Sequence, residues 1–165
     1  MAHTPNKPLR TQFVYRRCHP GDYQALRFLV RESWPVDMRD QVDDILKDAL
    51  THPDSTAIFG CFANGEAVAY AQVSMRQEYT EGASTYPIAY LDALYIRQNL
   101  RSLGVGQRLV DLVTTYVNSL GIEELAADCL SSDLQQFELY LQSGFEEVSQ
   151  MTHFVKSIPL KMRRS

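Results

Sequence analysis

The stretch "YLDALYIRQNLRSLGVGQRLV", residues 90 to 110, runs from apolar positions through a basic loop into a helical pattern. Gly104 and Gly106 stand where the helix starts, although glycine is among the weakest helix formers. The first turn of a helix leaves backbone N–H groups without intrahelical partners, and the macrodipole adds partial positive charge there. A bound anion satisfies both, and glycine lets it approach the backbone closely. Arg97, Arg101 and Arg108 flank the turn and add charge suited to a phosphate. The chemistry predicted is diphosphate binding, against the alternative of a Gly-rich turn with solvated arginines.

Two familiar phosphate loops do not fit. The Walker A pattern G-x-x-x-x-G-K-[ST] is absent, and a dinucleotide fingerprint fails because Leu109 replaces its third glycine. Asp92 interrupts the otherwise apolar run from Pro87 to Ile96, where an ionised carboxylate is costly unless paired. It either faces a cationic ligand or pairs with a core arginine. In "SSDLQQFELYLQSGF" the helical stripe is Leu134, Phe137 and Leu141. Tyr140 lies roughly a hundred degrees round from that stripe, facing a cleft or the core edge. Cys129 follows Asp128 with no paired base, so it reads as a structural thiol.

These residues need a scaffold, and 165 residues suffice for one domain with a real core. Residues 1–11 are expected to be a flexible tail and 12–165 the domain. "TQFVYRR" reads as a strand. Two helices follow, with apolar Ala25, Leu26, Leu29 and Val30, then Val42, Ile45, Leu46 and Leu50. "TAIFGCFANGEAVAYAQVSM" reads as a hairpin turning at Asn64-Gly65. A third strand covers 87–96. The helix from Val105 carries Leu109, Leu112, Val113, Tyr116, Val117 and Leu120, and ends at Gly121. "IEELAAD" is a short strand, the next helix has Ser132 and Gln135 at capping-box spacing, and "GFEEVSQMTHFVKSI" supplies β-like pieces. This order predicts an α+β fold, layered α/β/α, with a mostly antiparallel central sheet and helices on both faces.

With 45% hydrophobic and 22% charged residues and a net charge of −4, the composition is that of a soluble globular protein. That balance argues against nucleic acid or an anionic membrane as partner. Three widely spaced cysteines without C-x-x-C suit a reducing compartment and argue against a zinc site. The start "MAHTPNKPLR" has no apolar run like a signal peptide, and no window approaches the roughly 18 apolar residues of a membrane span. A cytoplasmic location is expected, with no metal.

Arg101-Ser-Leu-Gly104-Val-Gly106 meets the pattern [R/Q]-x-x-G-x-[G/A] after an antiparallel strand. In this position it resembles the acetyl-CoA pyrophosphate loop of the Gcn5-related N-acetyltransferases (GNATs). That superfamily also carries a tyrosine shortly before a Gly-Phe pair, here Tyr140 and Gly144-Phe145. The resemblance spans about residues 12 to 156 and implies strands that splay to form an acetyl-CoA cleft.

A narrower likeness lies upstream. "SMRQEYTEGASTYPIAYLDALYI" is similar to the S-x-R-x-[DE]-Y-x-x-G, P, L-E-G-[IF] run of aminoglycoside 6'-N-acetyltransferases. Ser74, Arg76, Tyr79, Gly82, Pro87 and Leu91 match without gaps. Trp34-Pro35 resembles that branch's Leu-Trp-Pro element, and "AADCLSSD" its A-S-D segment. By position, the likeness implies that Trp34, Tyr79, Asp92 and Asp128 line an aminoglycoside site. Backbone at Leu94, Tyr95 and Ile96, Arg101, and the run Ser102, Leu103, Gly104, Val105, Gly106 and Gln107 would hold acetyl-CoA. Asp133 stands where an asparagine is usual. Asp92 replaces a glutamate, Ser149 an acidic contact and His153 an aromatic residue.

The implied reaction is direct attack of an amine on the thioester. Asp92 is the candidate base, and Tyr140, then His153, the candidate acid. The acidic residues suit a polycationic aminoglycoside, although Glu78 and Glu81 read more simply as solvated loop. Trp34 is equally a core anchor or a surface for sugar rings. An acetyltransferase for a protein N-terminus or polyamine, and a non-enzymatic acetyl-CoA-binding module, are the rival readings. Pairing into a homodimer is common among such relatives.

Overall fold

The computed structural model describes residues 12–158. The expected tail, residues 1–11, lies outside them. Five strands, β1 (Phe13–Arg17), β2 (Thr56–Ala63), β3 (Glu66–Arg76), β4 (Ile88–Ile96) and β5 (Leu125–Ala127), form one sheet in that order. The first four are mutually antiparallel, and β5 joins β4 in parallel. Helices α1 (Tyr23–Ser33) and α2 (Arg39–Thr51) cover one face; α3 (Val105–Ser119) and α4 (Leu134–Gln142) lie on the other.

Side-chain alternation sorts the strand residues between these layers. Ala57, Phe59, Cys61, Ala69, Ala71 and Val73 meet α3, while Ile58, Phe62 and Tyr70 meet α1 and α2. The β2–β3 hairpin turns at Asn64 and Gly65, both with positive φ (52° and 84°), as a two-residue turn between twisted strands requires. Helix α1 buries Leu26, Leu29 and Val30 as expected. Helix α2 buries Val42, Leu46, Ala49 and Leu50, but Ile45 is left 42% exposed. Its core stripe runs through Ala49 instead.

Two features of β4 position the site. Val73 faces Leu91 and Gln72 faces Ala93, so Asp92 is the extra residue of a β-bulge. Strand β5 pairs only with Ala89, Tyr90 and Leu91. Beyond the bulge β4 continues to Ile96 without it, and the two strands part.

Three expectations are corrected. Helix α4 is capped by Asp133, whose Oδ1 accepts from Gln136 N–H at 3.0 Å, not by Ser132. The expected stripe of α4 does not face the core: Leu134 and Leu141 are exposed, and Tyr140 is the helix's buried residue. The helix packs by one edge, setting Leu139 against Gly106 of α3 and Tyr140 against Phe145. Residues 146–158 form no strand: apolar alternation needs a partner edge, and this segment runs exposed with none among the described residues.

Candidate acetyl-transfer site

A cavity of about 490 Å³ opens where α3 begins. Leu94 and Ile96 of β4 form one wall, Arg101, Ser102 and Gly104 the rim, Gly106 and Gln107 the first turn of α3, and Asp133 and α4 the far side. Eight of the residues singled out for coenzyme binding therefore surround one space. Three others turn elsewhere. Tyr95 stands 6.3 Å from Tyr70 on the α1–α2 face, Leu103 is exposed, and Val105 is in the core.

The two glycines have different physical reasons. Gly104 is the N-cap with φ +77°, and no atom lies within 4 Å of where a Cβ would be. Among the described residues no side chain caps α3, and Gly104, Gly106 and Gln107 of its start line open space. A Cβ on Gly106 would lie 2.7 Å from Leu139 Cδ2, so this glycine admits α4 rather than an anion. Of the three arginines, only Arg101 lines the cavity, with its Nε donating to the Ile96 carbonyl at 3.2 Å. Arg97 pairs with Glu32 and Glu66, and Arg108 lies 5.3 Å over the Tyr15 ring. Uncapped amides, one basic side chain and an apolar strand edge fit a diphosphate ester with an extended apolar-polar arm.

On the other face of the sheet, past the cover of α1 and α2, lie the acidic groups. Alternation places Ser74, Arg76 and Tyr90 there, and the bulge adds Asp92. Arg76 Nη2 donates to Asp92 Oδ1 at 2.6 Å, and its guanidinium carbon sits 3.4 Å over the Tyr90 ring. The arginine alternative for Asp92 is thus present, though Arg76 is a strand-end residue, not a core one. Burial and the Asp128 carboxylate beside it raise the Tyr90 hydroxyl above its ordinary pKa. Asp128 follows β5 and is exposed.

Tyr140 is in the core rather than on an open cleft. Its ring lies 5.2 Å from Phe145, and its hydroxyl accepts from Gln136 Nε2 at 2.7 Å, a residue that lines the cavity. Burial first, then the acidic neighbours Cys129 and Asp128, push its pKa well above the ordinary value. Trp34 caps the C-terminal end of α1 and packs against the α1–α2 core, as Ala93 and Tyr95 also do. Tyr79 is 78% exposed and donates to Glu81 at 2.7 Å, not to the Asp92 cluster. His153 lies on the exposed C-terminal segment.

Reading the sequence missed Tyr90, Gln136 and the partner of Asp92. The cost of a charge in an apolar strand was the one signal for Arg76; nothing local marked the other two. Among the described residues no His, Cys, Asp and Glu cluster could hold a metal.

A mixed sheet that parts beside an uncapped, glycine-led helix is the architecture of an acyl-CoA-dependent transferase. The model of the GNAT acetyltransferase family matches residues 16–145, and the chain belongs to that family. Among its relatives, the type 1 aminoglycoside N(6')-acetyltransferase of Stenotrophomonas maltophilia is 30% identical over 139 residues, 84% of this chain and 90% of its own length. The enzyme of the same name from Serratia marcescens is 27% identical over 141 residues, 86% and 97% of the two chains. Two solved folds are similar. The aminoglycoside N-acetyltransferase AAC(6')-Iy, in complex with CoA, has a TM-score of 0.83 at 23% identity, covering 93% of this chain and all of its own. AAC(6')-Ih from Acinetobacter baumannii has 0.74 at 22%, covering 90% and 100%.

Proposed function

We propose that the protein transfers acetyl from acetyl-CoA to the 6'-amino group of aminoglycosides. One observation carries this reading: the uncapped amides of α3 open on a cavity walled by β4, and the same strand carries Asp92 and its acidic surroundings at the bulge. The names of the relatives, aminoglycoside N(6')-acetyltransferases, support the acceptor.

Acetyl-CoA supplies an activated thioester. In the transfer, a bond forms between the amine nitrogen and the acetyl carbon as the carbon–sulfur bond breaks. The amine loses a proton and the departing thiolate gains one. The amides of Gly104, Val105, Gly106 and Gln107, with Arg101, hold the diphosphate. The thioester oxygen needs a donor, and a backbone N–H near Leu94 serves it. Asp92 orients the ammonium and accepts its proton directly or through water. Tyr140, buried behind the cavity residue Gln136 to which its hydroxyl is hydrogen-bonded, stays protonated at neutral pH and is the proposed proton donor to the thiolate. Asp128, Tyr79 and Trp34 complete the acceptor wall by charge and by aromatic faces.

The assay is thiol release from acetyl-CoA with kanamycin, a 6'-hydroxyl aminoglycoside, spermidine and an N-terminal peptide. Turnover with kanamycin alone supports the reading. Turnover with spermidine or the peptide alone replaces it with the polyamine or N-terminal acetyltransferase.

We further propose that the chain works as a homodimer in the cytoplasm, where its activity gives aminoglycoside resistance. Exposed Met151, Phe154, Val155 and Ile158 on the C-terminal segment support a partner surface. Three free cysteines suit a reducing compartment. No helix among the described residues is long and apolar enough to cross a membrane. Light scattering of the purified protein at twice the chain mass supports pairing, and a single-chain mass removes it.

A further inference from the structure

Residues 77–87, which join β3 to β4 and carry Tyr79 and Glu81, have no strand partners among the described residues yet are held at several points. Glu124, just before β5, accepts from the backbone N–H groups of Ser84 and Thr85, both at 2.8 Å. The same carboxylate accepts from Ser84 Oγ at 2.5 Å and Thr85 Oγ1 at 3.0 Å. Four donors on one carboxylate satisfy most of its acceptor capacity. They hold its pKa down at about 2, so it is ionised throughout the neutral range.

The remaining contacts lock the near half of the loop. Thr80 N–H donates to the Tyr86 hydroxyl at 3.2 Å, and the Tyr79 hydroxyl donates to Glu81. Val148 stands on Gly82, with its Cγ2 2.6 Å from where a Cβ would be, so no larger residue fits there without movement. Glu124 itself is fixed, because its carbonyl accepts from Ala89 N–H at 3.1 Å. Asp92 lies three residues along β4 from Ala89, about 10 Å at the rise of a strand. Glu124 therefore serves the acceptor side without touching the reacting groups.

We propose that Glu124 is a positioning residue for the acceptor wall: by tying Ser84 and Thr85 it sets where Tyr79 and Glu81 stand relative to Asp92. The inference rests on the aminoglycoside reading above. A wall ordered before the ligand arrives spares the ordering cost at binding, and the effect falls on acceptor affinity.

The experiment compares wild type, Glu124→Ala and Glu124→Gln in steady-state kinetics with kanamycin and acetyl-CoA, alongside backbone amide exchange of residues 77–87. Glu124→Ala is expected to raise the kanamycin KM by about tenfold with the acetyl-CoA KM unchanged, and to speed exchange across the loop. Glu124→Gln keeps part of the acceptor capacity, so it should show the same split at smaller size and serves if the alanine variant does not fold. An unchanged kanamycin KM, equal rises for both substrates, or unaltered loop exchange overturns the proposal. Wild-type turnover separates the two readings. Its absence with kanamycin removes the aminoglycoside function and this inference with it, whereas normal wild-type turnover with unaffected variants removes this inference alone.

Discussion

Arg76, opposite Ile88 in the β3–β4 ladder, reaches along the sheet to Asp92 at the bulge, 2.6 Å away, with its guanidinium laid over Tyr90. The bulge turns Asp92 towards the α1–α2 face beyond the cover of those helices, and Arg76 offsets the cost of a carboxylate whose side chain is only 22% exposed. Asp92 Oδ1 is engaged by Arg76, so in the proposed function Oδ2 is the oxygen that meets an acceptor ammonium. Arg76→Gln removes a partly exposed ion pair and a cation–π contact, together about 1 kcal/mol. For a domain of this size that lowers Tm by roughly 2–4 °C. It should also raise the aminoglycoside KM severalfold, because Asp92 loses the contact that fixes its orientation. Thermal denaturation and initial-rate kinetics check both; a variant as stable and as active as wild type would show that the pair is incidental.

Tyr140→Phe removes the hydroxyl that Gln136 engages while keeping the ring against Phe145. The expected result is a kcat lower by about 100-fold, the lower end for a positioned acid, with little change in either KM. Burial raises the Tyr140 pKa, so the folded protein holds this proton above the ordinary value of about 10. The stability it contributes is complete below that pH and is lost only as pH rises through the higher folded value. The wild-type kcat should therefore show no decline from this group up to about pH 10. A decline near neutrality that Tyr140→Phe abolishes would contradict this placement, and undiminished turnover would pass the role to His153 or solvent.

Gly104 and Gly106 should respond differently to a methyl group. Gly104→Ala meets no neighbour but forces a side chain into a left-handed backbone, at about 1–2 kcal/mol, and crowds the open amides. Acetyl-CoA affinity should fall about tenfold through the crowded amides, a decade being about 1.4 kcal/mol of lost binding. Gly106→Ala collides with Leu139, and overpacking of this kind costs about 1–3 kcal/mol, so its main effect should be a lower Tm. Titration calorimetry and thermal denaturation of both variants test the division; unchanged acetyl-CoA affinity in Gly104→Ala would remove the anion-cap reading.

Most of the scaffold was legible because local signals agreed with the fold. The Asn64-Gly65 turn, the Leu26-Leu29-Val30 stripe and the Leu109-Val113-Val117 stripe each name one buried face, and the structure buries it. The reading failed where an element's surroundings decide. Helix α4 is amphipathic in sequence, but it touches the core by one edge only, so its Leu134-Phe137-Leu141 stripe misnamed the buried side. Residues 146–158 alternate like a strand without a partner edge. At the site, the loop glycines and Asp92 were conspicuous because each violates a local rule. Glu124 violates none, and its four donors lie about 40 positions away.

In the proposed function, glycine-led amides on one side and a bulged carboxylate on the other divide the labour between coenzyme and acceptor, and Asp92→Asn separates them most directly. The measurement is kcat/KM for kanamycin set against the acetyl-CoA Kd from calorimetry, on the same protein preparation. A loss of about 100-fold in kcat/KM, with acetyl-CoA affinity within twofold of wild type, is the predicted result; it corresponds to roughly 2.7 kcal/mol of transition-state stabilisation. Equal losses for both ligands, or no loss for kanamycin, would contradict the account.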